Sequence, residues 1–370
     1  MFAATNNYMR RFTFNLIYTS LAILIFSCNK NESTVNPIPT SVSISLDKTS
    51  VTADGIDEIK VTVKDQDGND ISASSVIFVD GFAIKGSAVF FEANQQGTLK
   101  VYANKYNVIS DTLTVTTNAP TAAKYSTKVL AEFYTATWCG WCPRMDYKLN
   151  NFMAANNNLI AVQIHSNDNL ANRTVDSIMR NDYGVSSVPN VLINRTSFMQ
   201  ENGDVNNLND STEFKKFYQK RAVVGLAINS TVNGNNLDIT AKTGFDVTIK
   251  DSLKLVILVV ENNKIAPQAN YYNNNLSYPG NPFFSAGDTI NTFVHNGVYS
   301  LSPTSIKGIT VPVANQTKDN EYIANYTVDI NGLNSANLKV IAFVYFANDQ
   351  ARKGILNVQW ANAGQNKNYD

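Results

Sequence analysis

The stretch Trp138-Cys139-Gly140-Trp141-Cys142-Pro143 constrains the fold of this chain more than any other, because it sets two of only three cysteines three positions apart. An apolar run from Val129 to Tyr134 precedes it, and Met145, Leu149, Phe152 and Met153 follow at helical spacing. The pair is therefore expected at a strand-to-helix corner. There both sulfurs lie on one side of the turn, near enough to close a small Cys139–Cys142 disulfide, and the leading sulfur faces unpaired backbone N–H groups. Those donors and the helix dipole favour thiolate over thiol. In such motifs the leading thiol's pKa falls from about 8.5 to roughly 3.5–7.5. The chemistry this pattern suggests is thiol-disulfide exchange.

The remaining composition narrows the alternatives. With 370 residues, 44% apolar and 16% charged, the chain is globular in composition and long enough for about two or three domains. Its formal net charge is zero, and no cluster of Lys and Arg is present to meet phosphates, so no nucleic-acid partner is expected. A zinc site would need two further ligands at suitable spacing, but the chain holds only His165 and His295 and no second cysteine pair. Neither a metal nor a cofactor is expected.

The N-terminus reads as an export signal over residues 1–27. Arg10 and Arg11 precede an apolar stretch from Phe12 to Phe26 that ends at Ser27-Cys28 and turns abruptly polar. This stretch is short for a transmembrane helix. The segment Leu24-Ile25-Phe26-Ser27-Cys28 resembles a bacterial lipobox, which implies that Cys28 is lipidated and becomes the mature N-terminus. Asn29 after it, by the same resemblance, favours the outer membrane. Residues 28–40, polar with Pro37 and Pro39, then read as a tether.

Three regions follow. From 41 to 118, short alternating runs at Val42/Ile44/Leu46, Ile59/Val61/Val63, Val76/Phe78, Val89/Phe91, Leu99/Val101 and Leu113/Val115 are separated by turns such as Asp67-Gly68 and Asp80-Gly81. This is the rhythm of an immunoglobulin-like β-sandwich. Asp65, Asp67 and Asp70 read as a solvated hairpin rather than a calcium loop, which needs more oxygen ligands and a closing carboxylate. From 124 to 221 the order is β-α-β-α-β-α. The second strand is Leu159 to Ile164, the next helical stripe holds Val175, Ile178, Met179 and Tyr183, and a strand is entered through Val188-Pro189. A last helix is expected from Asp210, with Glu213 completing the cap, and buries Phe214, Phe217 and Tyr218. From 222 to 370 helical signals vanish and an all-β, sandwich or jelly-roll-like domain is expected, with a hairpin at Asn233-Gly234. Within it, Ala266 to Ser305 is long, rich in Asn and Tyr, and without clear periodicity, as a functional or loosely ordered loop would be.

The β-α-β order, the Trp-Cys-x-x-Cys and the later Val-Pro together resemble the thioredoxin fold. That resemblance implies a cis Pro189 facing the disulfide, with Val188 offering backbone to an incoming peptide. It implies roles as well: Cys139 attacks a substrate disulfide and Cys142 resolves the mixed disulfide. Trp138 and Trp141 flank the pair as contact residues. Glu132 and His165 are the candidate proton shuttles, although Glu132 falls one position off the buried acid of ordinary thioredoxins, which corresponds to Phe133. Strand alternation points Glu132 the other way. Gly140-Trp141 places no imidazole between the cysteines, which inclines the reading toward a reductase or isomerase.

The export signal, the lipobox-like Cys28, the WCGWCP motif and an all-β C-terminal half further resemble the Omp28-like outer-membrane lipoproteins of Bacteroidetes. The likeness is carried by Ala131-Glu132-Phe133, Thr137 to Pro143 and Val294-His295-Asn296-Gly297. It implies a lipid-anchored outer-membrane location, on the periplasmic face or the cell surface. The partners expected are disulfides and thiols of exported proteins, a redox partner protein, and the membrane through the N-terminal lipid. The rival expectation is a surface binding or adhesion lipoprotein in which the cysteine domain is structural or vestigial. Solvent access to Cys139 separates the two.

Overall fold

The computed structural model describes residues 38–84, 90–199, 212–218, 220–278, 280–348 and 354–370. The export segment, Cys28 and most of the tether lie outside the described residues, as do Val89 and Asp210. The protein is β-rich and built from several sheets. No helix among the described residues is long and apolar enough to cross a membrane.

Residues 42–118 form two sheets, one of Val42–Leu46, Glu58–Asp65 and Phe90–Glu92, the other centred on Gly97–Lys105 and Leu113–Asn118. Alternate residues from both, among them Val51, Ile59, Val61, Val63, Ile77, Val101 and Val115, close one apolar core. The aspartates of the first hairpin are engaged locally. Asp65 accepts from Asn69 and from the Asp67 backbone, and Asp70 accepts from Ser72.

The rest of the chain is organised by one nine-stranded mixed sheet. In chain order its strands are β1 (Val129–Thr135), β2 (Leu159–His165), β3 (Asn190–Ile193), β4 (Ser197–Met199), β5 (Leu253–Glu261), β6 (Val298–Leu301), β7 (Ile309–Val311), β8 (Leu338–Phe346) and β9 (Ile355–Asn362). They lie in the order β4-β3-β1-β2-β6-β5-β8-β9, with β7 also on β5. β1 and β2 are parallel and joined by the helix α1 (Cys142–Ala155), whereas β3 is antiparallel to β1. α2 (Arg173–Tyr183) connects β2 to β3, with Asn172 accepting from the Val175 N–H at its start and Gly184 in the left-handed conformation at its end. α3 (Thr212–Tyr218) buries Phe214 and Phe217.

Alternation along β1 and β2 sorts the two faces. Val129, Ala131, Phe133, Leu159 and Ala161 pack with the cysteines beneath α1 and α3. Leu130, Tyr134, Ile160, Val162 and Ile164 pack with α2. The same α2 core continues through Val256, Leu258, Val260, Ile341, Phe343 and Tyr345 of the C-terminal strands. The sheet thus runs across residue 221, where helical periodicity stops. The opposite face of β5 and β8 packs on a four-stranded sheet of Val224–Asn233, Asn236–Phe245, Glu321–Asp329 and Asn366–Lys367. Asn233 and Asn236 pair across the hairpin turn at Gly234, as the Asn-Gly signal requires.

The segment from 266 to 305 holds more strand than its composition suggests. Lys264–Ala269 and Thr289–His295 pair as a hairpin, and β6 follows. Side chains on this hairpin face different neighbours on its two sides, and Pro267 and a register shift interrupt its alternation, so the pattern is weak in sequence.

β2 and β6 meet at Gln163 and Val298. Here the Gln163 N–H donates to the Gly297 carbonyl at 2.7 Å, and Gly297 donates to Asn262 Oδ1 at 2.8 Å. Gly297 has φ +72°, and a Cβ there would stand 2.6 Å from the Ala161 carbonyl oxygen. Gly297→Val is expected to lower stability to urea by about 2–3 kcal/mol. Gly234→Ala, at φ +61° with open space around it, is expected to cost about 1 kcal/mol. Equal shifts in the two unfolding midpoints would show that the seam carries no special load.

Candidate functional site

The two cysteines sit where β1 hands over to α1. The helix proper begins at Cys142, and Cys139 to Trp141 form the turn ahead of it, closed by the Cys142 N–H donating to the Cys139 carbonyl at 3.0 Å. Cys139 and Cys142 are joined as a disulfide with their Cα atoms 5.4 Å apart. Pro143, which lacks an N–H, falls in the first helical turn, where no partner would be available. The Val188–Pro189 peptide is cis, and Val188 packs against the apolar cluster that contains both cysteines.

The pair is covered. Cys139 is 5% exposed and Cys142 1%. The cover is the end of the 264–269 strand and the turn-rich segment after it. The Ala269 N–H donates to the Thr137 carbonyl at 2.8 Å and the Tyr271 N–H to the Gly140 carbonyl at 2.9 Å. Gln268 Nε2 donates to the Cys139 carbonyl at 2.8 Å and to the Ala136 carbonyl at 3.2 Å. Trp141 meets Tyr271, Tyr272 and Tyr278 edge-on, with ring centroids 5.2 to 5.7 Å apart. Gly140 leaves room for the Tyr271 ring, since a Cβ there would fall 2.3 Å from its carbons. Trp141 is therefore 38% exposed but already engaged, whereas Trp138 is 50% exposed and tethered through Nε1, which donates to the Ser166 carbonyl at 2.9 Å.

Glu132 does not reach the sulfurs. It lies fully buried on the α2 side of β1, where Arg195 grips it with Nη2 at 2.8 Å and Nε at 3.1 Å from its carboxylate. Arg195 in turn stacks against Tyr183, Phe343 and Tyr345 and donates to the Ile306 carbonyl. This ion pair ties β1 to the C-terminal strands and leaves Glu132 no part in proton traffic on the cysteine side.

His165 does lie on the cysteine face, in line with a set of groups that sequence reasoning missed. Asp146 follows Cys142 by one helical turn and is buried against β2. It accepts from Asn150 Nδ2 at 2.8 Å and from Gln163 Nε2. Gln163 Oε1 lies 3.1 Å from His165 Nε2, and His165 Nδ1 lies 2.7 Å from Asp168 Oδ2. Asp168 also accepts from the Thr137 N–H at 2.7 Å, which returns the chain to the cysteine loop. Burial pushes the Asp146 carboxyl up to about 7 against the opposing hydrogen bonds from Asn150 and Gln163. Burial also acts on Asp168, but the hydrogen bond and charge of His165, with the N–H groups of Thr137 and Leu170, outweigh it and hold that carboxyl below its ordinary value. His295 faces His165 with ring centroids 5.1 Å apart. Burial and the neighbouring imidazole push it down to about 4, so it stays neutral near pH 7. Among the described residues, no group of three or more His, Cys, Asp or Glu is placed to hold a metal ion.

Comparison with known proteins adds the family. The profile described as "Outer membrane protein Omp28" matches residues 176–367, just over half of the chain. The chain belongs to the Omp28 outer membrane protein family. The match takes in Pro189, Arg195 and the whole cover over the disulfide, while Cys139 and Cys142 lie ahead of it. Among solved structures, HBP35 of Porphyromonas gingivalis is similar at 19% identity and a TM-score of 0.51, over 65% of this chain and 76% of that one, which is a likeness of fold. The adhesin InvE of Yersinia pseudotuberculosis aligns over 87% of this chain and 58% of its own at 6% identity, with a TM-score of only 0.16. No curated protein sequence matches the chain.

The raised Asp146 carboxyl has a consequence for stability. Its folded value of about 7 lies above the ordinary 3.8, so the neutral form is favoured by folding. The stability this contributes is full below about pH 4 and is lost as pH rises toward 7. Asp146→Asn removes the titration. The variant should therefore gain on the native protein by up to a few kcal/mol between pH 4 and 8, measured as the difference in urea midpoints. A difference that does not change with pH would rule out a buried, neutral Asp146.

Proposed function

We propose that this Omp28-family protein is a thiol-disulfide exchange protein of the outer membrane, acting on disulfides of exported proteins through Cys139 and Cys142. In this reading β1, α1, β2, α2 and β3 make a thioredoxin-like domain, and lipid on Cys28 anchors it. A separate redox protein resets the pair. The observation that carries the reading is the Cys139–Cys142 disulfide at the start of a helix, in the turn after a buried central strand. The cysteine side of the sheet also holds a carboxyl whose proton is available near neutral pH. Cys139, ahead of the helix, attacks the substrate, and Cys142, more deeply buried, closes the ring again. Val188 and Trp138 border the pair and meet the substrate, and Trp141 holds the cover.

A second reading has an observation of its own. The C-terminal segment covers the disulfide, as it would in a surface binding lipoprotein where the pair is only a staple. Dithiothreitol treatment under native conditions, followed by maleimide labelling, separates the two. Exchange requires that the native disulfide be reduced and that Cys139 label before Cys142. A pair that opens only in urea leaves the binding reading standing. Gly140→Ala pushes the Tyr271 ring off the cysteine turn. Removing that aromatic contact, worth about 0.5–1.5 kcal/mol, should speed native reduction on the order of 10-fold with unchanged circular dichroism. No acceleration would show that the cover does not control access.

A further inference from the structure

At one end of β8 the sheet breaks its own pattern. Ile341, Phe343 and Tyr345 alternate into the apolar core shared with α2, and Lys339 takes the next position in that row. Its cross-strand neighbours are Val260 on β5 and Asn362 on β9, neither of them an acid. Glu261, which follows Val260, alternates to the other face and is held by Lys264 at 2.7 Å. Among the described residues Lys339 makes no hydrogen bond or ion pair. Burial pushes its ammonium below the ordinary lysine value, and no neighbouring charge opposes that push.

Lys339 stands between two adjoining hollows. The first, of about 320 Å³, is walled by Met153, Ile160 and Val260 and carries Asn262 and Asn296 beside Lys339. Both asparagines have their orientation set from behind. Asn262 Oδ1 accepts from the Gly297 N–H at 2.8 Å, and Asn296 Oδ1 accepts from the Asn263 N–H at 3.0 Å. Since a backbone N–H can only donate, the oxygen of each carboxamide is the committed end. Each Nδ2 is left without a protein acceptor among the described residues. The hollow therefore gathers one ammonium and two amide groups, all donors, with no acceptor bound to them. The second hollow, of about 340 Å³, shares Met153, Ile160 and Lys339 and adds the Trp360 ring. Its charged groups are engaged with one another: Asp370 accepts from Lys128 and, at 3.1 Å, from Lys367. Lys128 also donates to Gln359 Oε1 at 2.6 Å.

We propose that the hollow at Lys339 is a binding site for a small monocarboxylate with an apolar body. The carboxylate lies against the ammonium and accepts from Asn262 and Asn296, while the hydrocarbon covers Met153 and Ile160 and reaches Trp360. The donors and the walls set this class. One cation in the first hollow lacks a counter-charge, which matches one negative charge on the guest. A phosphate dianion finds no second free cation there and meets the Asp370 carboxylate beyond. A carboxylate offers about four lone-pair sites on two oxygens, enough for all three donors. A neutral guest leaves the ammonium unanswered. Each hollow is at the low end of the range for ligand sites, about 300–1,000 Å³, which restricts the guest to a small molecule. The site lies at the joint between β2 and β6 and does not depend on the exchange reading.

The test is isothermal titration calorimetry on the full chain with hydrocinnamate, with its neutral amide, and with phenyl phosphate. Native protein should bind hydrocinnamate saturably and the amide on the order of 30-fold more weakly, a comparison that needs no variant. Lys339→Met keeps the apolar stem and removes the charge. It should lose the same factor for the acid and bind the amide as before. Asn296→Asp keeps an oxygen for the Asn263 N–H and sets a carboxylate against the guest. In that variant the acid should no longer bind while the amide still does, which decides the matter even if Lys339→Met does not fold. Absence of saturable binding at millimolar concentrations overturns the proposal. An acid bound no better than its amide does so too, and makes Lys339 a side chain that only reaches for water. Tighter binding of phenyl phosphate than of hydrocinnamate overturns the choice of a monocarboxylate.

Discussion

The meeting of β2 and β6 at Gln163 and Gly297 is the joint on which the functional half of the molecule depends. A strand that belongs to the cysteine-bearing unit and one that belongs to the C-terminal half are stitched by a backbone hydrogen bond at 2.7 Å. That bond fixes the height at which the chain before Gly297 returns. The returning chain is the 289–295 strand, which carries His295 to His165 and pairs with the 264–269 strand that covers the cysteines. Gln163 serves twice, through its N–H at the joint and through its amide between Asp146 and His165. Only a residue at positive φ without a Cβ passes so close to the Ala161 carbonyl. The Val294-His295-Asn296-Gly297 segment thus matters for geometry as well as for family likeness.

The two faces of β1 divide the electrostatic work. On the α2 face, Glu132 and Arg195 are both removed from water, a state that is tolerable only because the pairing is bidentate and the guanidinium is sandwiched by aromatic rings. Such a pair adds little net stability but makes any other packing of β1 on β8 very unfavourable. On the cysteine face, burial outweighs the hydrogen bonds from Asn150 and Gln163 and pushes the Asp146 carboxyl up to about 7. One carboxylate, on β1, is therefore locked to a guanidinium, and the other, on α1 across the sheet, is pushed toward its neutral form by burial.

Much of this was legible in the residues. The apolar run before Cys139, the helical stripe after Cys142 and the Val-Pro entry to β3 located the corner, and strand alternation alone sent Glu132 away from it. Asp146 was missed because a single aspartate among Met145, Leu149 and Phe152 reads as the polar side of an amphipathic helix. Gln163 and His165 share a face by period-two alternation, and with Cys142-x3-Asp146 they are a signal that sequence reading could have used. The cover was illegible for another reason. Its contacts with the cysteine turn are mostly backbone to backbone, at Thr137, Gly140, Ala269 and Tyr271, and a main-chain hydrogen bond between residues some 130 positions apart leaves no side-chain pattern. The continuity of the sheet past residue 221 was hidden likewise, since strand order is a property of pairing rather than of composition.

Burial of the disulfide and its use in exchange are compatible if the cover opens, and the energetics set the scale. Each main-chain hydrogen bond to the cysteine turn contributes about 1 kcal/mol net. Each Trp141 edge contact adds about 0.5–1.5 kcal/mol. Together they hold the closed form by several kcal/mol, which leaves an open population on the order of one in a thousand or less. The cover binds the carbonyls of Thr137, Cys139 and Gly140, not the sulfurs. Lifting it therefore leaves the helix N-terminus and the Asp146 chain in place. On the exchange reading proposed above, an extended peptide that supplied backbone donors for those same carbonyls would recover much of the opening cost, while a small thiol would recover none.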